Sequence, residues 1–399
     1  MTPPRLLAIA LVIVLAAAAW AALGGTLQVR TQAAASKLDP IVAGNWGAPL
    51  TQLHPAAFYL VPGASTPRKQ LAPITSEVSV DLQYTPVKKG LLRYRTYTVD
   101  FAGRYTFENP APVTQTVYLE FQLPTDAGFD RFSFSVDGTE SGREPDDHGR
   151  LVESVSLAPN TTTDLAVSYA GNGLGTYAYD FDGLRRLRAF SLDMTTDFED
   201  IDIPAGAASP NGRERIGGGW ALRWDYDDVI APSPVGVAMP KILNPGPVAA
   251  RISLFAPVSL LFYFAVLIVL CLVRGINLHP MNFAFMAAGC FAFQLLFTYL
   301  VDLVPPLVAF GVGASVSVLL VSGYLWRVAG FAFARLAALA QLTYMVLFSY
   351  SFFFDGLTGI TITVGAVVTL AVLMAYTARV NWADLLGGGA AVSKSPLAK

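Results

Sequence analysis

Six stretches of this chain are apolar, carry no Asp, Glu, Lys or Arg in their interiors, and are long enough to cross a lipid bilayer as helices: residues 6–23, 252–273, 281–301, 307–325, 336–354 and 357–378. A hydrocarbon core about 30 Å thick takes roughly 20 helical residues at about 1.5 Å each, and an unpaired charge inside it costs several kcal/mol. A water-soluble globule has little use for six such runs. Composition agrees, since 53% of the 399 residues are hydrophobic and only 14% charged.

Charged flanks orient the runs, because Lys and Arg collect on the cytoplasmic side of short loops. With alternating spans, Arg5, Arg274, Arg327, Arg335, Arg379, Lys394 and Lys399 fall on one side. The short connections on the other carry only Asp302 and Asp355, and Arg251 is the exception. This predicts a multi-pass protein of a cell inner membrane with both termini cytoplasmic and residues 26–250 extracytoplasmic. Residues 6–23 exceed the usual 7–15-residue core of a signal peptide, so a retained anchor is expected.

From residue 76 the pattern changes to period-two alternation rich in Val, Tyr, Phe and Thr, the signature of half-buried strands. The strands expected are 77–84, 91–101, 105–108, 116–122, 131–136, 151–157, 163–169, 176–181, 187–195 and 220–226. Asn109-Pro110, Leu123-Pro124, Asp137-Gly138, Pro159-Asn160 and Gly171-Asn172-Gly173 read as turns. Short strands without helical periodicity predict an antiparallel sandwich. The fold class is therefore a membrane α-helical bundle plus an extracytoplasmic all-β domain. Residues 1–25 form the anchor, 26–75 an irregular Pro- and Ala-rich linker, 76–250 the β-domain with a Pro-rich exit, 251–380 a five-helix bundle, and 381–399 a cytoplasmic tail. The cysteines, Cys271 and Cys290, lie in apolar runs, so the β-domain folds without disulfides.

The residues offer little chemistry. His54, His148 and His279 are far apart, without metal-ligand spacing, and there is no Gly-x-Ser-x-Gly elbow or phosphate loop. Asp193, Asp197, Glu199, Asp200 and Asp202 could offer oxygens to calcium, but a solvated loop is the simpler reading. Glu144, Asp146 and Asp147 beside His148 read as a surface turn. No catalytic, cofactor-binding or metal set is assigned. In the bundle, Gln294, Thr298, Gln341 and Tyr344 read as helix-joining groups, with a solute path as the rival. A net charge of -2 removes the broad basic surface that nucleic acid would need.

Three short motifs carry a resemblance. They are Leu278-His279-Pro280-Met281-Asn282-Phe283 opening the third apolar run, Tyr350 to Asp355 closing the fifth, and Arg379-Val380-Asn381-Trp382 after the last. Over about 130 residues this C-terminal region resembles the CreD family of inner-membrane proteins. It departs at Phe354-Asp355, where family members often have Glu-Asp, and the β-domain shows little likeness. The resemblance implies a non-enzymatic role in cell envelope maintenance or stress response. It singles out His279, Pro280, Asn282, Asp355, Arg379 and Trp382 as candidate functional residues, and Asp302 joins them as the charge where the third apolar run leaves the outer face. The expected partners are membrane lipids and an envelope protein or glycan, with a homo-oligomer as a further option. A transporter component and a membrane-anchored hydrolase or transferase are the alternatives.

Overall fold

The computed structural model describes residues 3–61, 68–89, 92–124, 128–354, 356 and 358–378. The chain divides into a β unit, Ser36–Ile242, and a helical unit formed by Met1–Ala35 with the chain from Leu243 onward.

The first helix, α1, runs Pro3–Trp46, well beyond the expected anchor. The stretch read as irregular is rich in Ala, the best helix former, and its proline within the helix is Pro40. After α1 the same stretch supplies three strands, β1 (Leu50–Leu53), β2 (Ala56–Leu60) and β3 (Arg68–Leu71). The described residues of 26–75 are therefore mainly a helix and strands of the sheets, a correction to the expected linker. These strands are too short for their alternation to stand out in the sequence.

Most of the remaining strands overlap expected ones, but Val87–Lys89, Thr139–Glu140, Gly212–Ile216 and Val235–Ala238 lie outside the expected set, the last of them in the Pro-rich exit, and Thr96–Glu108 is one strand where two are expected. In chain order, the remaining strands are β4 (Thr75–Tyr84), β5 (Val87–Lys89), β6 (Leu92–Tyr94), β7 (Thr96–Glu108), β8 (Gln115–Gln122), β9 (Phe129–Val136) and β10 (Thr139–Glu140). Then come β11 (Arg150–Leu157), β12 (Thr162–Leu174), β13 (Thr176–Asp180), β14 (Arg186–Thr196), β15 (Gly212–Ile216), β16 (Gly219–Ile230) and β17 (Val235–Ala238). An eight-stranded sheet has the order β10-β9-β12-β7-β4-β14-β16-β15. A four-stranded sheet runs β11-β8-β2-β3 and a three-stranded one β1-β13-β17.

Two pairings are parallel, β14 with β4 and β1 with β13, so the sheets are mixed rather than wholly antiparallel. Only a tight hairpin forces the antiparallel sense, and long chain excursions separate both of these pairs. One face of the eight-stranded sheet is apolar and shares a core with the other two sheets. Phe101 of β7 lies 6.4 Å from Phe121 of β8 and 6.5 Å from Tyr179 of β13, ring centre to ring centre.

The glycine run at 171–173 is not a turn, because it lies inside β12. A Cβ at Gly173 would stand within the Tyr97 ring, and one at Gly171 would come 3.1 Å from Phe129 Cδ1. Glycine inside a strand marks such a close approach.

The helical unit continues with α2 (Pro245–Arg274), α3 (Pro280–Leu300), α4 (Pro306–Ala329) and α5 (Phe331–Gln341). The α5 path continues through a π turn at Leu342–Leu347, α6 (Phe348–Tyr350) and a 3₁₀ turn at Ser351–Phe353, before α7 (Thr358–Thr377). Proline stands at the start of α2, α3 and α4, where its missing N–H breaks no helical bond. Among the described residues five helices are long and apolar enough to cross a membrane, and the apolar run Gly359–Ala375 is shorter.

Candidate functional site

The outer face of the eight-stranded sheet carries a groove built by strand register. Ser133 of β9 pairs with Ser168 of β12, Ser168 with Ala102 of β7, and Ala102 with Ser79 of β4. Ser79 then pairs with Asp193 of β14, and Asp193 with Arg223 of β16. A neighbouring row runs Ser135, Ala166, Arg104, Glu77 and Ser191 across five of the same strands. Strands lie about 4.8 Å apart, so six strands span about 24 Å. Small side chains at successive crossings lower the floor, and the groove has a volume of about 580 Å³. Its walls carry both signs of charge, with Arg223 Nε 3.0 Å from Asp193 Oδ1.

The opposite face of the same strands is buried. Its core contains the buried tyrosines Tyr97, Tyr105, Tyr169, Tyr177 and Tyr179 with Gln52 and His54. Tyr169 Oη donates to Gln52 Oε1 at 2.8 Å, and Gln52 Nε2 donates to the Gln122 carbonyl at 3.0 Å. His54 Nδ1 lies 2.7 Å from Tyr179 Oη, which is 3.0 Å from Tyr105 Oη. Burial lowers the His54 pKa to about 3, so the ring is neutral at ordinary pH. Burial likewise raises the pKa of Tyr97 and Tyr105, keeping both as neutral phenols. This network is closed to solvent and has the character of a polar core, not of a reacting centre.

The sequence candidates fall in separate places. His279 caps α3, its Nδ1 accepting from Met281 N at 3.2 Å, and Pro280 occupies the first helical position. Asn282 Oδ1 accepts from Tyr324 Oη of α4 at 2.7 Å, and Asn277 Oδ1 accepts from Arg5 at 2.6 Å. This end of α3 thus ties α1, α3 and α4 together. Asp302 is past the other end of α3, about 30 Å away at 1.5 Å per residue, and pairs with Arg30 of α1 at 2.8 Å. Asp355, Arg379 and Trp382 lie outside the described residues.

The acidic residues are dispersed among partners of their own. Asp193 pairs with Arg223 at 3.0 Å, Glu199 with Arg215 at 2.6 Å, and Asp202 with Lys241 at 3.6 Å. Asp197 Oδ1 accepts from Tyr84 N at 2.8 Å. Asp146 Oδ1 accepts from the His148 and Arg150 amides, which hold its carboxyl below the usual range. Among the described residues no group of three or more His, Cys, Asp or Glu side chains could hold a metal ion.

Inside the helical unit, Gln341 Nε2 of α5 donates to Ser317 Oγ of α4 at 2.9 Å, and Ser317 Oγ donates to the Gly289 carbonyl of α3 at 2.7 Å. These residues join three helices. Buried Gln294 and Thr298, one turn apart on α3, leave their side-chain polar atoms without a partner among the described residues. Tyr344 Oη lies 3.0 Å from Thr369 Oγ1 of α7, so it does not share the Gln341 network.

Sequence reasoning missed the groove. Its signal was present as Ser and Ala at outward positions of alternating strands, but only register aligns them.

No family model matches the sequence, and no curated protein matches it. Among solved structures, one of a candidate nutrient-binding protein from Legionella pneumophila is similar at 9% identity and a TM-score of 0.29, covering 52% of this chain and 76% of that one. A TM-score this low does not establish a shared fold, and nothing of that protein is carried over to this chain.

Proposed function

We propose that the chain is a non-enzymatic inner-membrane protein of the cell envelope, whose β unit lies outside the cytoplasm and binds an extended envelope component, a glycan strand or a polypeptide, along the groove. The observation that carries this reading is the in-register row of small residues from Ser133 to Ser79, closed by the Asp193–Arg223 pair. Hydroxyls and charges of both signs suit a ligand rich in hydroxyls and amides, and the length suits a polymer more than a small metabolite. The membrane setting is supported by the exposed surface of the helical unit, where Leu307, Val312, Leu319, Leu320, Leu339 and Val364 are among many large apolar side chains facing outward. In water an apolar surface of that extent is rare without a covering partner. The resemblance to the CreD family suggests envelope maintenance as the setting, with residues 26–250 extracytoplasmic and both termini cytoplasmic.

A photoreactive amino acid placed at Ala102 in the full-length protein, with crosslinking in living cells, tests the binding role. An envelope glycan or a different protein should be captured, and capture should fall when Ser79→Trp fills the floor. Recovery of only further copies of the chain would replace the reading with self-assembly. A reporter enzyme fused after Gly138 should be active only outside the cytoplasm. Activity inside would overturn the topology.

A second reading, a solute path through the helical unit, is favoured by the unpaired polar atoms of buried Gln294 and Thr298. Flux of small solutes into vesicles carrying the protein, absent with Gln294→Leu, would support it.

A further inference from the structure

The π turn Leu342–Leu347 forms one wall of a groove of about 320 Å³ between α7 and Phe262 of α2. We propose that this groove holds one acyl chain of a bilayer phospholipid as a fixed ligand, an inference that rests on the membrane reading above. A π turn inserts one residue into an α-helix and is found preferentially at functional sites. Here Tyr344 and Leu347 of the turn face Val364, Gly365 and Val368 of α7 across the groove.

The lining chemistry selects the occupant. Thr343 Oγ1 donates to the Leu339 carbonyl at 3.0 Å, and Thr369 Oγ1 donates to the Gly365 carbonyl at 2.5 Å, which leaves Tyr344 Oη, 3.0 Å away, to donate to Thr369 Oγ1. The two hydroxyls that the π turn brings to the wall are thus engaged within the protein, and the groove makes little hydrogen-bonding demand on a guest. Leu347, Ile360, Val364 and Val368 line it and are also exposed, so it opens sideways onto the apolar surface of the helical unit. Hydrocarbon is what such a surface meets in a bilayer. A Cβ on Gly365 would meet nothing within 4 Å, so this position looks into open space.

The test uses the full-length protein in phosphatidylcholine vesicles containing a lipid with a diazirine on its acyl chain. After irradiation, adducts are mapped by mass spectrometry. Adducts should concentrate on Tyr344, Leu347, Val364 and Val368, and should fall about tenfold with Gly365→Phe, which fills the groove. Adducts on the outward residues Leu319 and Leu320 of α4 should stay unchanged, and Val364→Trp provides a second way to fill the groove. Equal labelling of the groove and of α4, unchanged by either substitution, would overturn the bound chain and leave the membrane reading intact. Labelling of neither surface would overturn the membrane reading, and the proposal with it.

Discussion

The two units dispose of their polar and apolar side chains in opposite ways. In the β unit the apolar residues alternate inward and the outward face is Ser, Ala, Thr, Asp, Glu and Arg, as in β4, where Val78, Val80 and Leu82 are buried while Glu77, Ser79 and Asp81 are exposed. In the helical unit Leu319 is 72% exposed, while Gln294 and Gln341 are buried. One unit hides what water rejects. The other displays it and places amides inside, which is the arrangement suited to a hydrocarbon surround. Satisfaction of the buried groups does not separate the units: each has a bonded network, Tyr169–Gln52 in one and Gln341–Ser317 in the other. Among the described residues each also has buried polar atoms without a partner, His54 Nε2 in the β unit and the Gln294 amide in α3.

Substitutions can break or sharpen this comparison. The largest effect is expected at Trp224 of β16, fully buried with Nε1 donating to the Ala208 carbonyl at 2.9 Å. Trp224→Ala should destabilise the β unit by about 3–5 kcal/mol, read as a lower denaturant midpoint. A small change would mean that the sheets do not share one apolar core.

Next in size is a paired test of the two surfaces. Leu319→Arg on α4 should cost about 2.5–3.5 kcal/mol if hydrocarbon covers that face, measured as lost folded protein in vesicles. Ser79→Arg on the outer sheet should stay within about 0.5 kcal/mol. Equal small effects would dissolve the contrast between the units.

The third concerns His54, with a pKa lowered to about 3 in the folded state from an ordinary 6.5. The unfolded chain takes up a proton below pH 6.5 that the folded chain refuses, so stability from this group is complete above pH 6.5 and is lost as pH falls toward 3. At pH 5 the loss should be about 2 kcal/mol. His54→Phe should abolish that part of the pH dependence of β-unit unfolding, and an unchanged profile would show that the ring is hydrated.

The smallest effect is expected in the helical unit. Tyr324→Phe removes the donor to Asn282 and should cost about 1 kcal/mol, seen as a modest fall in thermal stability of the detergent-solubilised protein. A loss several times larger would make this end of α3 more than a structural tie.

Much of this was readable in advance, and the exceptions have physical causes. The strand at Thr75–Tyr84 announces itself because a ten-residue alternation is hard to imitate by chance. The four residues of β1 and of β3 carry too few periods to do so. The prolines and weak periodicity of residues 26–73 suggest an irregular path, yet α1 continues through Pro40 on Ala-rich sequence. Gly171, Asn172 and Gly173 have turn chemistry locally, but the Tyr97 and Phe129 rings that need their missing side chains approach from β7 and β9, distant in sequence. Of the candidate residues, His279 and Asp302 were visible as motif and loop charge. Arg30, the partner of Asp302, was not, because 272 residues separate them.

What the sequence determined by itself was local: which segments alternate, which are apolar for a full helix length, and which charges flank them. Those properties depend on a residue and its near neighbours, within one strand or a few helical turns. The parallel pairing of β4 with β14, the alignment of Ser133, Ser168, Ala102 and Ser79 into one groove, and the opening beside the π turn were decided only by tertiary structure. Each requires segments far apart in the chain to meet at a particular register, and register is set by the packing of the whole core.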